Sequence, residues 1–356
     1  MIKAEQDIIK LFNYLSQSEW NHQTDFNNLD KFPIITREDL RKTEMKKGFY
    51  SCTTSGSTGE TLTIQKTYLD LVWYYATSYR EMIWRKWDMT KNYAIIRPGS
   101  PKVTHPSWGI PQTIAPKQGK IFKIGHLPIK ELQSWLEEMN PHYIHARPSI
   151  LKELDLTKLT NFIDAKSTGE LGGTMYSSEE NGTIAISCPD NPSVYHVMEN
   201  QIIETDENNN MIITTLTNPY IKRYKNGDCI ELGTCHCGRK LQTITKINGR
   251  VRNMFVLPNG DKKWALFGTH DFYSKFGIKK YKLIQTDINN LEVNIIAEPL
   301  NEEELKNHIQ KFLQSSITIK VNYVDNFPDY KHEEFVSLVK KWWNIVTLAI
   351  CNNIIS

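Results

Sequence analysis

Residues Thr53, Thr54, Ser55, Gly56, Ser57, Thr58 and Gly59 form an unbroken run of hydroxyl side chains and glycines. Glycine lets a backbone turn through positive φ and approach a ligand closely. Successive N–H groups and hydroxyls then offer donors to phosphate oxygens. The chemistry such a run serves is phosphate binding. It is not the Gly-x-x-x-x-Gly-Lys-Ser/Thr pattern of P-loop nucleotide hydrolases. On composition alone it reads equally well as a flexible Ser/Gly surface loop.

Four further segments carry residues of chemical interest. Tyr176-Ser177-Ser178-Glu179-Glu180-Asn181-Gly182 pairs an aromatic ring with a carboxylate, although alone it reads as a solvated turn or a helix N-cap. Arg223-Tyr224-Lys225-Asn226-Gly227-Asp228 reads alone as a Gly-Asp hairpin turn. Asn248-Gly249-Arg250 and the stretch around Lys331 each offer a cation. Six cysteines are too few for a disulfide scaffold in 356 residues, so any special role for them points to metal rather than crosslinking.

The elements that must hold these residues follow from the apolar pattern. Residues 5–20 read as an amphipathic helix. A stronger one spans 67–84, with Leu69, Val72, Trp73, Ala76 and Ile83 near one face. Apolar runs at 94–96, 121–124, 143–146 and 162–165, with a helical pattern over 129–139, predict a largely parallel sheet. From about 185 to 245 strand-like runs such as 201–204 and 211–215 alternate with Asn/Asp/Gly turns, which predicts an antiparallel β region. Beyond it, 281–286 and 291–297 read as two strands. A helix carrying Leu305, Ile309, Phe312 and Leu313 on one face follows, then a strand with Ile317, Ile319, Val321 and Tyr323 alternating. The expected fold class is α/β: a large domain over 1–249, with mixed sheets flanked by helices plus a β region, and a small α+β domain over 250–356.

Bulk properties narrow the function classes. Hydrophobic content of 40% supports a sizeable core, and a net charge of +3 without a basic run argues against nucleic acid. The N-terminus has no apolar signal-like run, and the longest late apolar run, 345–351, is too short to span a bilayer. A cytoplasmic protein without a membrane partner is expected.

Taken in order, the motifs resemble the adenylate-forming (AMP-binding) superfamily, in its phenylacetate–CoA ligase and CapK-like branch. The resemblance runs from Phe32-Pro33-Ile34-Ile35-Thr36-Arg37-Glu38-Asp39-Leu40 to about Val339. The family's phosphate loop matches Thr54–Gly59. It is usually followed by Lys or Arg, and here Glu60 stands there. The resemblance implies that Tyr176 flanks adenine and that Glu180 acts in catalysis by binding Mg²⁺. It implies that Asp228 receives the ribose hydroxyls, that Arg250 reaches the nucleotide, and that Arg252 marks a hinge. It places Gly169-Glu170 at the nucleotide site and gives Lys331 the charge-stabilising role during adenylation. Only residues 171–175 separate Glu170 from Tyr176, fewer than in the family, so part of the usual acid-pocket wall is missing. The acid pocket should lie near 97–109 and 143–151, with Arg97 or Arg147 able to neutralise a carboxylate.

The same resemblance implies a structural Zn²⁺ site, since Cys188, His196, Cys235 and Cys237 sit in contexts that match zinc-bearing members. Three thiolates and an imidazole close a tetrahedral shell. His236 is the alternative ligand to His196, and reduced core cysteines are the alternative reading. The implied reaction uses ATP and Mg²⁺ to turn a small carboxylic acid into an acyl-adenylate. The acyl group then passes to CoA, a carrier protein or an amine. An acyl-protein synthetase of the LuxE type and a nucleotide-binding scaffold without turnover are the competing readings. The protein is expected as a monomer or a homodimer.

Overall fold

The computed structural model describes residues 2–21, 29–54, 62–97, 99–125, 127–169, 172–250, 254–264, 272, 275–325 and 333–336. Its contacts divide into two compact units. One is built from residues up to Ile247. The other runs from Asn248 onward and also takes in Gly227–Cys229.

The first unit begins with α1 (Ile2–Asn21) and α2 (Arg37–Lys42), then the hairpin β1 (Tyr50–Thr54) and β2 (Leu62–Lys66), then α3 (Tyr68–Trp84). A five-stranded sheet follows, made from β3 (Tyr93–Ile96), β4 (Val103–His105), β5 (Ile121–Ile124), β6 (Tyr143–Ala146) and β7 (Asp164–Ser167). Its order is β4-β5-β3-β6-β7, parallel except for β4 at the edge. Strands covered on both faces must be apolar on both, which is why these runs do not alternate. Tyr93, Ile121 and Tyr143 face Val72, Tyr79 and Met82 of α3 and Ile8 of α1. Ala94, Ile96, Phe122, Ile124, Ile144 and Ala146 face Leu132, Trp135 and Leu136 of α4 (Ile129–Met139). The strands at 121–124 and 143–146 and the helix at 129–139 fall where the apolar pattern puts them. The run at 162–165 differs: the strand starts at Asp164, and Ile163 is exposed.

The face of α3 also differs from the pattern. Thr67 and Asp70 form a capping box that starts the helix at Tyr68. Val72 and Ala76 are buried, but Leu69 and Ile83 are exposed, while Arg80 and Glu81 are buried. Both charges have partners far along the chain. Arg80 forks onto Glu199 at 2.7 and 2.8 Å, and Glu81 takes Lys166 at 3.1 Å. Periodic apolarity cannot reveal a helix face that is buried through ion pairs.

The β region is a seven-stranded sheet of order β11-β12-β13-β14-β10-β9-β8. The strands are β8 (Met175–Ser178), β9 (Gly182–Ser187), β10 (Tyr195–Val197), β11 (Gln201–Thr205), β12 (Asn210–Thr215), β13 (Tyr224–Gly233) and β14 (Thr243–Arg250). Its inner face packs with Leu40 of α2 and with Leu62 and Ile64 of β2. That shared core seats the hairpin and α2 on the sheet.

In the second unit, β15 (Met254–Val256) pairs β16 (Lys262–Trp264). A four-stranded sheet is ordered β19-β18-β17-β20, from β17 (Lys280–Asp287), β18 (Asn290–Ile296), β19 (Thr318–Tyr323) and β20 (Glu333–Val336). The helix α5 (Pro148–Glu153) belongs to the first unit, and α6 (Glu302–Leu313) covers this sheet. Leu305, Ile309 and Leu313 are fully buried against Leu283, Val293 and Ile295, as the helical pattern requires. The ββαβ string expected from the sequence is present, with β20 added beside β17. The α/β fold class expected from the sequence is the one observed.

Candidate functional site

Thr53 and Thr54 end β1, and Thr54 pairs with Leu62 of β2. The pairing therefore fixes Thr54 and Leu62, the described residues on either side of residues 55–61. Ser55, Gly56, Ser57, Thr58 and Gly59, with Glu60, lie outside the described residues. A close approach holds the other end of the hairpin: a Cβ on Gly48 would lie 2.4 Å from the Lys66 carbonyl. That carbonyl accepts the Phe49 N–H at 2.7 Å.

Glu180 sits in the turn between β8 and β9. Gly182, at φ +75°, closes the turn in a conformation that side chains resist. Asn181 locks it, its backbone N–H donating to Ser178 Oγ and its amide to Thr215 Oγ1 at 2.9 Å. Glu180 is 5% exposed. Arg37 Nη1 donates to Glu180 Oε1 at 2.7 Å, and Arg37 Nη2 donates to the Thr54 hydroxyl. From the hairpin, the buried Lys66 ammonium donates to the Glu180 carbonyl at 2.5 Å. Burial pulls the Lys66 pKa down, against the raising influence of Asp70, Cys52 and Glu180. One guanidinium thus connects the base of the phosphate-loop hairpin to the carboxylate expected to take Mg²⁺. Sequence reasoning did not single out Arg37 or Lys66. Only the capping box Thr36–Asp39, which starts α2 at Arg37, marks the place.

Tyr176 lies on β8 beside a bulge in its pairing with β9. A bulge re-aims neighbouring side chains. Its ring packs on the core of the β region, and its hydroxyl reaches Met211 Sδ at 3.9 Å. Asp228 is buried on β13. Gly169 takes φ +88° just after β7, near Arg147. His145 on β6 meets Thr168 Oγ1 at 3.1 Å. Arg250 ends β14, and only its backbone is described. Glu170, Arg252 and Lys331 lie outside the described residues.

The four expected zinc ligands are brought together. Cys188 follows β9 directly, and pairing of Tyr195 with Ser187 sets His196 of β10 beside it. Cys235 and Cys237 lie between β13 and β14, and β14 pairs with β10. All four ligand atoms lie within 4.8 Å of one another. Cys235 Sγ is 3.7 Å from Cys188 Sγ, far beyond a disulfide, and Cys237 Sγ is 3.3 Å from His196 Nε2. Thiolates tetrahedral about Zn²⁺ at 2.3 Å stand about 3.8 Å apart, so the spacing fits that ion. Burial, aided by the Arg239 charge, pulls His196 down to about 4, which keeps the imidazole in its neutral, metal-binding form. Arg239 Nη1 reaches Cys188 Sγ at 3.8 Å and Asp190 at 2.6 Å, and its guanidinium lies over the Trp84 ring.

No family model matches the chain, and no curated protein matches it in sequence. Solved structures do. A 2-hydroxyisobutyryl-CoA ligase in its postadenylation state, in complex with 2-HIB-AMP, superposes with a TM-score of 0.60 at 13% identity. The match covers 97% of this chain and 91% of that one. The chain has the adenylate-forming fold. An o-succinylbenzoate CoA synthetase from Bacillus subtilis, in complex with the acyl-adenylate OSB-AMP, matches with a TM-score of 0.50 at 12% identity, over 78% of this chain and 66% of that one. An ATP-bound MatB chimera matches equally well at 12% identity, over 82% and 68%. In the adenylate-forming fold of this chain, the segments carrying Thr54, Tyr176, Glu180 and Asp228 fall on β1, β8, the β8–β9 turn and β13. Among the described residues no helix is long and apolar enough to cross a membrane.

Proposed function

We propose that the protein activates a small carboxylic acid with ATP and transfers the acyl group to a thiol, with CoA as the acceptor. The acid's carboxylate oxygen attacks the α-phosphorus, the bond to the β-phosphate oxygen breaks, and pyrophosphate leaves. The thiol then attacks the acyl carbonyl and AMP departs. A carrier-protein thiol or an amine would complete the second step by the same chemistry.

The observation that carries this reading is the link from Thr54 through Arg37 to Glu180, within the adenylate-forming fold. A hydroxyl at the base of a phosphate loop and a carboxylate for a hard cation are what polyphosphate chemistry needs close together. Mg²⁺ held by Glu180 would offset the phosphate charge. Thr53 to Gly59 cradle the phosphates, Tyr176 flanks the adenine, Asp228 takes the ribose, and Arg250 and Gly169-Glu170 border the nucleotide. Lys331 steadies the developing negative charge, and Arg252 is the hinge between domains 1–249 and 250–356. The zinc site of Cys188, His196, Cys235 and Cys237 holds β9, β10 and the β13–β14 connection together and takes no part in a chemical step.

ATP–pyrophosphate exchange over a panel of aryl, fatty, hydroxy and amino acids tests the reading. Exchange with one class of acid supports it. ATP binding without exchange for any acid supports the second reading, a nucleotide-binding scaffold. Glu60, an anion placed where the family carries a cation, favours that reading.

A further inference from the structure

We infer that Arg37 binds the β- and γ-phosphates of the nucleotide, supplying the cation that position 60 of this sequence lacks. The inference rests on the ATP reading above and goes beyond it in assigning this residue.

Arg37 is held on a fixed platform. Thr36 caps α2 through a reciprocal bond with Asp39, its N–H donating to Asp39 Oδ2 at 2.8 Å. Leu40, one turn on, is 1% exposed in the core shared with Leu62 and Ile64. On the other side Ile35 bridges to β13: its N–H donates to the Arg223 carbonyl at 3.1 Å, and its carbonyl accepts from Lys225 at 2.8 Å. The backbone on both sides of Arg37 is thereby tied to the sheet that carries Glu180.

The guanidinium is placed to meet a polyphosphate. Its two terminal nitrogens reach the Glu180 carboxylate and the Thr54 hydroxyl, so it lies between the base of the phosphate-loop hairpin and the carboxylate for the metal. A polyphosphate chelating a cation on Glu180 would bring its oxygens within reach of that guanidinium. The side chain keeps 27% of its surface open, which leaves an approach for a ligand, whereas Glu180 keeps 7%. A planar guanidinium presents five donors in a fork that matches phosphate oxygens in pairs.

Charge balance favours the exchange. With no nucleotide, Arg37 offsets the buried Glu180 anion. When a divalent cation takes over that task, the guanidinium becomes available to the phosphates that arrive with the cation. In the sequence, Glu60 follows Gly59, so the end of the phosphate-loop run carries an anion and no cation.

The test compares ATP and AMP binding, with Mg²⁺ present, by wild type, Arg37→Ala and Arg37→Lys, using calorimetry. Circular dichroism and a thermal midpoint check that each variant is folded. Arg37→Ala should bind ATP about ten- to a hundredfold more weakly, the range of a lost charge-assisted hydrogen bond, while AMP binding stays within about twofold. Arg37→Lys keeps the charge without the fork and should fall between. Equal loss of ATP and AMP binding would mean that Arg37 only shapes the site, and unchanged or tighter ATP binding would mean that it blocks Glu180. Each of these results overturns the inference and leaves the ATP reading standing. A wild type that binds neither nucleotide overturns the ATP reading, and the inference with it.

Discussion

Arg37 and Glu180 are 143 residues apart in sequence and joined at 2.7 Å in the fold. The pair connects α2, which precedes the phosphate-loop hairpin, to the β8–β9 turn, which follows the five-stranded sheet. It gives the candidate nucleotide site a built-in charge balance before any ligand arrives.

Glu180→Gln tests the carboxylate end. The substitution keeps the shape but removes the charge that offsets Arg37. The pair is neither fully exposed nor fully buried, so the stability cost should be about 1–3 kcal/mol, between the surface and buried limits. The acid-dependent exchange should fall by about a hundredfold or more, as when one electrostatic stabiliser of a reacting centre is removed. Urea unfolding and the exchange assay read the two effects separately.

The Cys188, His196, Cys235 and Cys237 cluster should hold one Zn²⁺ per chain when the protein is purified without chelator. Elemental analysis checks this. Cys188→Ala should abolish retention and lower the thermal midpoint by several degrees, because a structural metal contributes directly to folding. A wild type that retains no zinc, and whose midpoint ignores chelators, would contradict the site.

Arg80 and Glu199 form a pair with side chains 3% and 4% exposed. Arg80 also donates to the Leu15 carbonyl at 2.7 Å, so one guanidinium joins α3, α1 and the chain after β10. Glu199→Ala leaves that cation buried without its partner and should cost about 3–5 kcal/mol. Chemical denaturation should show this as a lower midpoint with an unchanged slope.

His145 makes stability depend on pH. Burial, reinforced by the charges of Lys166 and Arg97, holds its pKa well below the ordinary imidazole value. Unfolded, it titrates near 6.5. Below that pH the unfolded chain binds a proton that the folded chain refuses, so stability falls as pH drops from 6.5 toward the depressed folded value. The slope from this one group is at most about 1.4 kcal/mol per pH unit. His145→Asn, which can still meet Thr168, should flatten stability between pH 7 and 5. Equal slopes in both proteins would count against it.

Much of the fold was legible because local patterns set it. The mostly apolar runs at 121–124 and 143–146, each broken by one polar residue, Lys123 or His145, could be placed to the residue, since strands covered on both faces read as short apolar runs. The helix that covers the four-stranded sheet was legible in the 3.6-residue pattern of Leu305, Ile309 and Leu313. The face of α3 was not, because Arg80 and Glu81 are buried by partners 119 and 85 residues away. The candidate site divides in the same way. Thr54, Tyr176 and Glu180 could be singled out as candidates because each lies in a segment of characteristic order, and the fold brings the four expected metal ligands, Cys188, His196, Cys235 and Cys237, together. Arg37 and Lys66 could not, since each acts through a single long-range contact with the Glu180 turn.

Acid-dependent ATP–pyrophosphate exchange by the wild-type protein, with Lys331→Ala run beside it, tests the proposed activation step itself. Label should enter ATP only when a suitable carboxylic acid and Mg²⁺ are present, with the rate falling by about a hundredfold or more in the variant. Measurable ATP binding with no exchange for any acid in the panel would contradict it.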